Sequence, residues 1–240
     1  MVCVFEVTTI HKGLRFKQIW FADRPQVVRG CDMADFYFCT AESAEPRFER
    51  LDGEVTAIDL SRTQEDILAR FNKTTRNEIS QMKRQNPGVS INDELDSFER
   101  ILHGFATRKN FRPPKIDMEM LRNEEVRLYA ALDSTNSPNN FHLYLASKKQ
   151  RIFTLIYAAA VTENSKLDRY LHYRAMLDAK EQGYSWFTLG GMGDSSEKEK
   201  SISSYKEKFG GEPMHPNNFR YYANPVVKLL YAAGKRFLKR

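Results

Sequence analysis

Residues 170–191 read YLHYRAMLDAKEQGYSWFTLGG, and residues 204–211, beyond a polar loop, read SYKEKFGG. Leu171, Ala175, Met176 and Ala179 recur at spacings of three and four, so they share one face of a helix that Gly183 brings to an end. The aromatic run 184–189 then has the make-up of a short strand. Gly190 and Gly191 remove two Cβ atoms where that strand stops, which lets the backbone take unusual dihedrals or accept a close ligand. Ligands of open α/β sheets usually sit at such strand ends, so the chemistry is expected here.

Upstream, residues 55–60 read as a strand, and Ser61 with Gln64 and Glu65 behind it reads as a helix start close to a capping box. One helix is expected to follow. It carries Ile67, Leu68, Phe71, Ile79 and Met82 inward and Arg70, Lys73, Arg76, Lys83 and Arg84 on its other faces, until Pro87-Gly88 ends it. A second helix is predicted over 93–107 and a short one around 117–122, after the Arg112-Pro113-Pro114 break. Strands are predicted over 126–132, 141–146 and 151–161, the last two as a hairpin through Lys148-Lys149-Gln150. Short apolar runs at 2–7, 18–21 and 36–39 suit strands of a small β-rich N-terminal segment, a cap or the remnant of a second lobe. The expected division is therefore 1–54, 55–224 and a C-terminal helix 225–240.

The 240 residues, 41% hydrophobic and 28% charged, suit a soluble globular enzyme domain. A net charge of +6 favours phosphate-bearing or anionic partners, or is simply a basic surface. Three cysteines without CxxC spacing indicate neither a disulfide framework nor a zinc knuckle. Five dispersed histidines form no HExxH pattern, and no metal is expected. The start lacks a basic signal region, and no apolar run approaches the ~20 residues of a membrane span. A cytoplasmic location is expected. In the helix 225–240, Val226, Leu229, Leu230, Ala233 and Phe237 share one face, while Lys228, Lys235, Arg236, Lys239 and Arg240 meet no acidic residue. That face either docks on the protein or rests on the anionic inner face of a membrane.

These residues resemble the FemAB/FemX-like branch of the GNAT acyltransferase superfamily, in single-domain form. The likeness lies in Ala179-Lys180, Gly183-Tyr184, Gly190-Gly191, and Tyr205, Lys206, Phe209 and Gly210, with the basic helix KTTRNEISQMKR at 73–84 upstream. Thr188 stands where the family often has Asp, and Tyr205 where it has Phe. The resemblance implies an α/β fold in which a mixed sheet, flanked by helices, splays between the strands 151–161 and 184–189. It implies that backbone N–H groups near Ala158, Ala159 and Ala160 face the acyl carbonyl, and that Lys206 is the functional lysine. By composition alone, Lys206 is a solvated lysine of a Lys/Glu-rich helix. Tyr205 is either packing or catalytic.

Acyl-CoA-dependent members of the superfamily carry a glycine-containing pyrophosphate loop after the fourth strand. Here that segment, 161–168, reads VTENSKLD and holds no glycine. Asn164 and Ser165 remain donor-binding candidates, with Ser165 and Asp168 as helix caps. No tightly bound cofactor is implied. The donor is aminoacyl-tRNA or acyl-CoA, the missing glycines favouring the former, and the acceptor is an amino group on a glycan or nucleotide-sugar, a cell-envelope precursor. Arg76, helped by Lys73 and Arg84, is the candidate for an acceptor phosphate, or else part of an exposed helix face. His172, His142 and Asp194 are candidate bases. The alternatives are an acyl-CoA-dependent enzyme acting on an amino sugar, and a non-catalytic RNA-binding protein using 73–84 and 112–115 as a phosphate track.

Overall fold

A computed structural model describes residues 5–11, 14–43, 45–110, 120–133, 135–162, 164–191 and 197–238. Of the described residues, those up to Gly53 and from His215 onward form one compact unit, and those between them a second. The first unit opens with β1 (Phe5–His11), β2 (Leu14–Trp20), β3 (Met33–Tyr37) and β4 (Phe48–Leu51). Thus the apolar runs at 2–7, 18–21 and 36–39 mark strands with shifted bounds, residues 2–4 lying outside the described part.

The second unit begins with β5 (Val55–Asp59), α1 (Gln64–Arg70) and α2 (Lys73–Gln85). The single helix expected over this stretch is two. Asn72 has an extended backbone and accepts the Thr75 N–H, so it starts α2 afresh. The first cap is likewise Thr63, not Ser61, because Ser61 gives both its N–H and its hydroxyl to Asp59 Oδ1. There follow β6 (Val89–Ile91), α3 (Leu95–Arg108), a 3-10 turn at Met120–Arg122, β7 (Val126–Leu132), β8 (Pro138–Ser147) and β9 (Ile152–Ala160). The unit closes with α4 (Ser165–Glu181), β10 (Trp186–Gly191), α5 (Glu197–Glu207) and β11 (Glu212–Met214). Among the described residues its strands pair in the order β11-β5-β10-β9-β8-β7-β6, and only β9 and β10 run parallel.

That parallel pair is where the sheet splays. β9 and β10 pair only from Ile152/Trp186 to Thr154/Thr188, and the last rung is tied by a buried Oγ1–Oγ1 hydrogen bond of 2.6 Å between the two threonines. The position where the family often has Asp is thus a link between the two strands. Beyond it β10 turns toward β5, its register shifting between Thr188 and Gly191, with Gly190 at φ +75. Among the described residues β9 continues alone on that side, and a bulge opposite Leu143 and Tyr144 adds to its bend. The apolar face of α4, with Leu171, Ala175, Met176 and Ala179, packs in the same core as Tyr129, Tyr144, Phe153 and Phe187. Lys180 clasps its end by donating to the carbonyls of Leu60 at 2.8 Å and Arg62 at 2.6 Å.

After β11 the chain returns to the first unit as β12 (Asn218–Tyr222) and α6 (Pro225–Leu238). The first sheet has the order β1-β2-β3-β12-β4, so residues 215–224 belong with the N-terminal strands and not with 55–214 as expected. Its core gathers Ile19, Phe36, Phe48, Phe219 and Tyr221. Arg220 fixes β12 to β3 through both oxygens of Asp35 and reaches the Tyr231 hydroxyl of α6 at 2.7 Å. α6 docks by Val227 and Tyr231, which pack with Met33 and Tyr222. Its expected docking face points outward instead: Val226 is 63%, Leu229 70% and Leu230 59% exposed.

Candidate active site

Strand alternation places His142 and Tyr144 on one face of β8, and one turn of helix places Asp168 and His172 on one face of α4. α5 brings Tyr205 and Lys206 to the same place. His142 Nε2 lies 2.7 Å from Asp168 Oδ1, and Tyr205 donates its hydroxyl to Asp168 Oδ2. Tyr144 OH stands between two imidazoles, 3.1 Å from His142 Nδ1 and 2.7 Å from His172 Nδ1. The two rings stack with centroids 3.9 Å apart. Arg169, ion-paired with Glu78, lies over the Tyr205 ring at 5.5 Å and holds it from behind.

Burial opposes ionisation of Asp168, but the charges and hydrogen bonds of its neighbours, His142 foremost, outweigh it and hold the carboxyl well below the usual carboxylate range. His172 is displaced downward, first by burial, then by His142, and by Lys206, against the pull of Asp168; its ring is neutral at pH 7. Burial, with Asp168 second, pushes the Tyr144 and Tyr205 phenols far up, so both stay protonated.

These groups border a cavity of about 500 Å³, with Asp168, His172, Tyr205 and Lys206 facing walls that include Phe105, Leu155, Leu189 and Ile202. A second cavity of about 260 Å³ shares Phe105, Lys109, Ala158 and Asp168 with it, and adds Asn140, Ala159, Ala160, Asn164 and Ser165. Lys206 Nζ donates to the Gly191 carbonyl at the end of β10. Burial lowers its pKa to about 8. The edge of β9 beyond Thr154, which has no strand partner on the β10 side among the described residues, borders the same space.

The structure therefore brings Lys206, Tyr205, His172, Ala158, Ala159, Ala160, Asn164 and Ser165 to adjoining cavities, with Gly190 and Gly191 beside Lys206. Arg76 and Lys73 line neither. Arg76 spends its guanidinium on the carbonyls of Ala69 and Phe71 at the end of α1, clasping α1 to α2. The α4 cap is Asn164, which accepts from Lys166 and Leu167 N–H, so Asp168, expected as a cap, is turned to the histidines. Asp194 and residues 112–115 lie outside the described part.

Sequence reading missed Asp168 as a site residue and Tyr144 altogether. The signal was the coincidence of H-x-Y on a strand with D-x-x-x-H on a helix. The same three groups, His142, Asp168 and His172, present donor atoms within 4.8 Å of one another, a grouping hidden by their dispersal in sequence. Here His142 is engaged at both nitrogens, by Tyr144 and Asp168, and its ring stacks on that of His172.

No protein-family model and no curated protein matches this sequence. Solved structures do. FemX superposes with a TM-score of 0.63 at 10% identity, over 95% of this chain and 90% of its own. The C-terminal domain of a protein described as a lysylphosphatidylglycerol synthetase from Agrobacterium fabrum gives a TM-score of 0.60 at 14% identity, over 97% and 85%. L-PGS from Bacillus licheniformis gives 0.58 at 13% identity, over 94% and 84%. This chain has the GNAT-like fold that FemX and these synthetase domains share.

Proposed function

We propose that the protein is an acyltransferase that moves an acyl or aminoacyl group from an activated ester to an amine. The observation that carries this reading is one cavity in which a neutral imidazole, a lysine ammonium and an unpartnered strand edge meet. His172 Nε2 takes a proton from the attacking amine. Lys206 and N–H groups on the β9 edge stabilise the oxyanion that forms on the acyl carbon. Tyr205, held by Arg169, positions Asp168 and does not itself take part in bond making.

Aminoacyl-tRNA is the favoured donor. A coenzyme A pyrophosphate needs free backbone N–H groups after β9 and at the start of α4. Those of Val161 and Thr162 are taken by Asn139, and those of Lys166 and Leu167 by Asn164. The acceptor in this reading is an amino group on a glycan or nucleotide-sugar of the cell envelope. Purified protein given charged tRNA plus candidate acceptors is expected to form an aminoacylated product, and calorimetry with acetyl-CoA is expected to show no micromolar binding. Micromolar acetyl-CoA affinity would favour the acyl-CoA-dependent alternative, and tRNA binding without product under any donor would favour the RNA-binding one.

Contact with an anionic membrane belongs to the same reading. Val226, Leu229 and Leu230 project from α6, no helix among the described residues is long and apolar enough to cross a membrane, and the helix sequence is basic. Replacing the three by serine is expected to abolish salt-sensitive sedimentation with phosphatidylglycerol vesicles at unchanged melting temperature. Equal sedimentation of both forms, or none by the parent, removes the membrane contact.

A further inference from the structure

We propose that Tyr144 joins His172 to the His142–Asp168 pair as a proton relay, so that the charge taken up at the cavity is carried away from it. The proposal rests on His172 as the base and adds a positioning role for Tyr144 and His142.

The proton positions follow from counting donors. Asp168 is ionised and can only accept, so His142 holds a proton on Nε2, 2.7 Å away. In neutral His142 the lone pair is then on Nδ1, which faces Tyr144 OH at 3.1 Å. The tyrosine has one hydrogen and gives it there, because the reverse arrangement sets two lone pairs against each other. Its oxygen is left to accept, and the group 2.7 Å away, His172 Nδ1, must donate. His172 is thereby held as the Nδ1–H tautomer. Its Nε2 lone pair is left over, 4.0 Å from Asp168 Oδ2 and with no hydrogen-bond partner assigned to it among the described residues.

A proton arriving at His172 Nε2 shifts three bonds without separating charge for long. The Nδ1 proton of His172 passes to the Tyr144 oxygen, the original Tyr144 proton passes to His142 Nδ1, and the cation rests on His142 against Asp168. His172 and Tyr144 end neutral. Return of a proton along the same path to the departing oxygen or sulfur restores the starting state. The groups facing His172 favour this direction: Lys206 and Tyr205 from α5 offer no negative charge, whereas Asp168, on α4 with it, touches His142 at 2.7 Å, and His142 and Tyr144 come from β8.

The test is imidazole nitrogen NMR on the full chain labelled in histidine, assigned with His142→Gln and His172→Gln. At pH 7 His142 is expected as Nε2–H and His172 as Nδ1–H. Tyr144→Phe should turn His172 to the Nε2–H tautomer, lower turnover on the order of tenfold and move the acid limb of the rate profile to lower pH. A purely structural hydroxyl would lower the melting temperature and leave tautomers and profile in place. The relay is overturned by an Nε2–H tautomer of His172 in the parent protein, by a Tyr144→Phe spectrum and profile like the parent's, or by stoichiometric zinc capturing both Nε2 atoms. The parent tautomers decide the matter even where the variant fails to fold. Expected tautomers without acyl transfer from any donor would leave the relay standing and remove the reaction assigned to it.

Discussion

Lys206→Ala is expected to lower turnover by about 10²–10³-fold, the loss typical of removing one donor to a developing oxyanion. The folded state should not suffer. Burial depresses the Lys206 pKa to about 8, below its unfolded value, so its charged form is disfavoured by folding. The sign is that this lysine weakens the fold most below pH 8, and the penalty fades as pH rises from about 8 toward the ordinary lysine value. Alanine removes that penalty together with the bond to the Gly191 carbonyl. The ionisation also predicts an alkaline limb in the rate profile near pH 8, absent from the residual activity of Lys206→Ala and moved upward in Lys206→Arg, whose guanidinium stays charged. Steady-state rates from pH 6 to 10 with thermal melts check both. Full activity in a folded Lys206→Ala protein would remove the lysine from the mechanism.

Gly210→Ala is expected to cost about 3 kcal/mol or more, several degrees of melting temperature. Gly210 has φ +62, and a Cβ built on it would stand 2.1 Å from the Arg70 carbonyl oxygen. Main chain cannot rotate aside as a side chain can. The left-handed backbone alone costs a non-glycine residue about 1–2 kcal/mol, and the collision adds to it. The other glycines grade downward by the same reasoning. Gly190→Ala brings a Cβ to 3.2 Å from the Leu155 carbonyl and 3.7 Å from Lys206 Nζ at φ +75, so it should cost about 2 kcal/mol and impair catalysis. Gly191→Ala meets only the Glu54 carbonyl at 4.0 Å, and its melting temperature should stay near the parent's. The close approach expected of the pair belongs to Gly190. A Gly210→Ala protein as stable as the parent would show that the α1–α5 junction yields more readily than a backbone collision allows.

Among the residues singled out by pattern, Lys206 and the Ala158–Ala160 strand end reach the cavity, whereas Arg76 does not. Nothing local distinguishes them. A lysine or arginine on a helix face reads the same whether it looks into a cavity or clasps a neighbouring carbonyl, and Arg76 clasps because α1 ends six residues before it, at Arg70, with its carbonyls open. The division at 55–224 failed for a similar reason. β12 looks like any short aromatic strand, yet its partners are β3 and β4, and Asn218 accepts the Phe38 N–H from 180 residues away.

The sequence by itself determined most of the helices and strands, the glycine pair at the end of β10 and the glycine-free segment 161–168, because helical spacing, strand alternation and backbone dihedrals act between residues a few positions apart. Only the tertiary structure decided that His142 and Tyr144 would meet Asp168 and His172, that Tyr205 would close the group from 37 residues beyond Asp168, and which stripe of α6 would face water. Those contacts depend on which strands pair, in what register and at what splay. That choice is made by burial of the whole core, to which each local pattern contributes only a part.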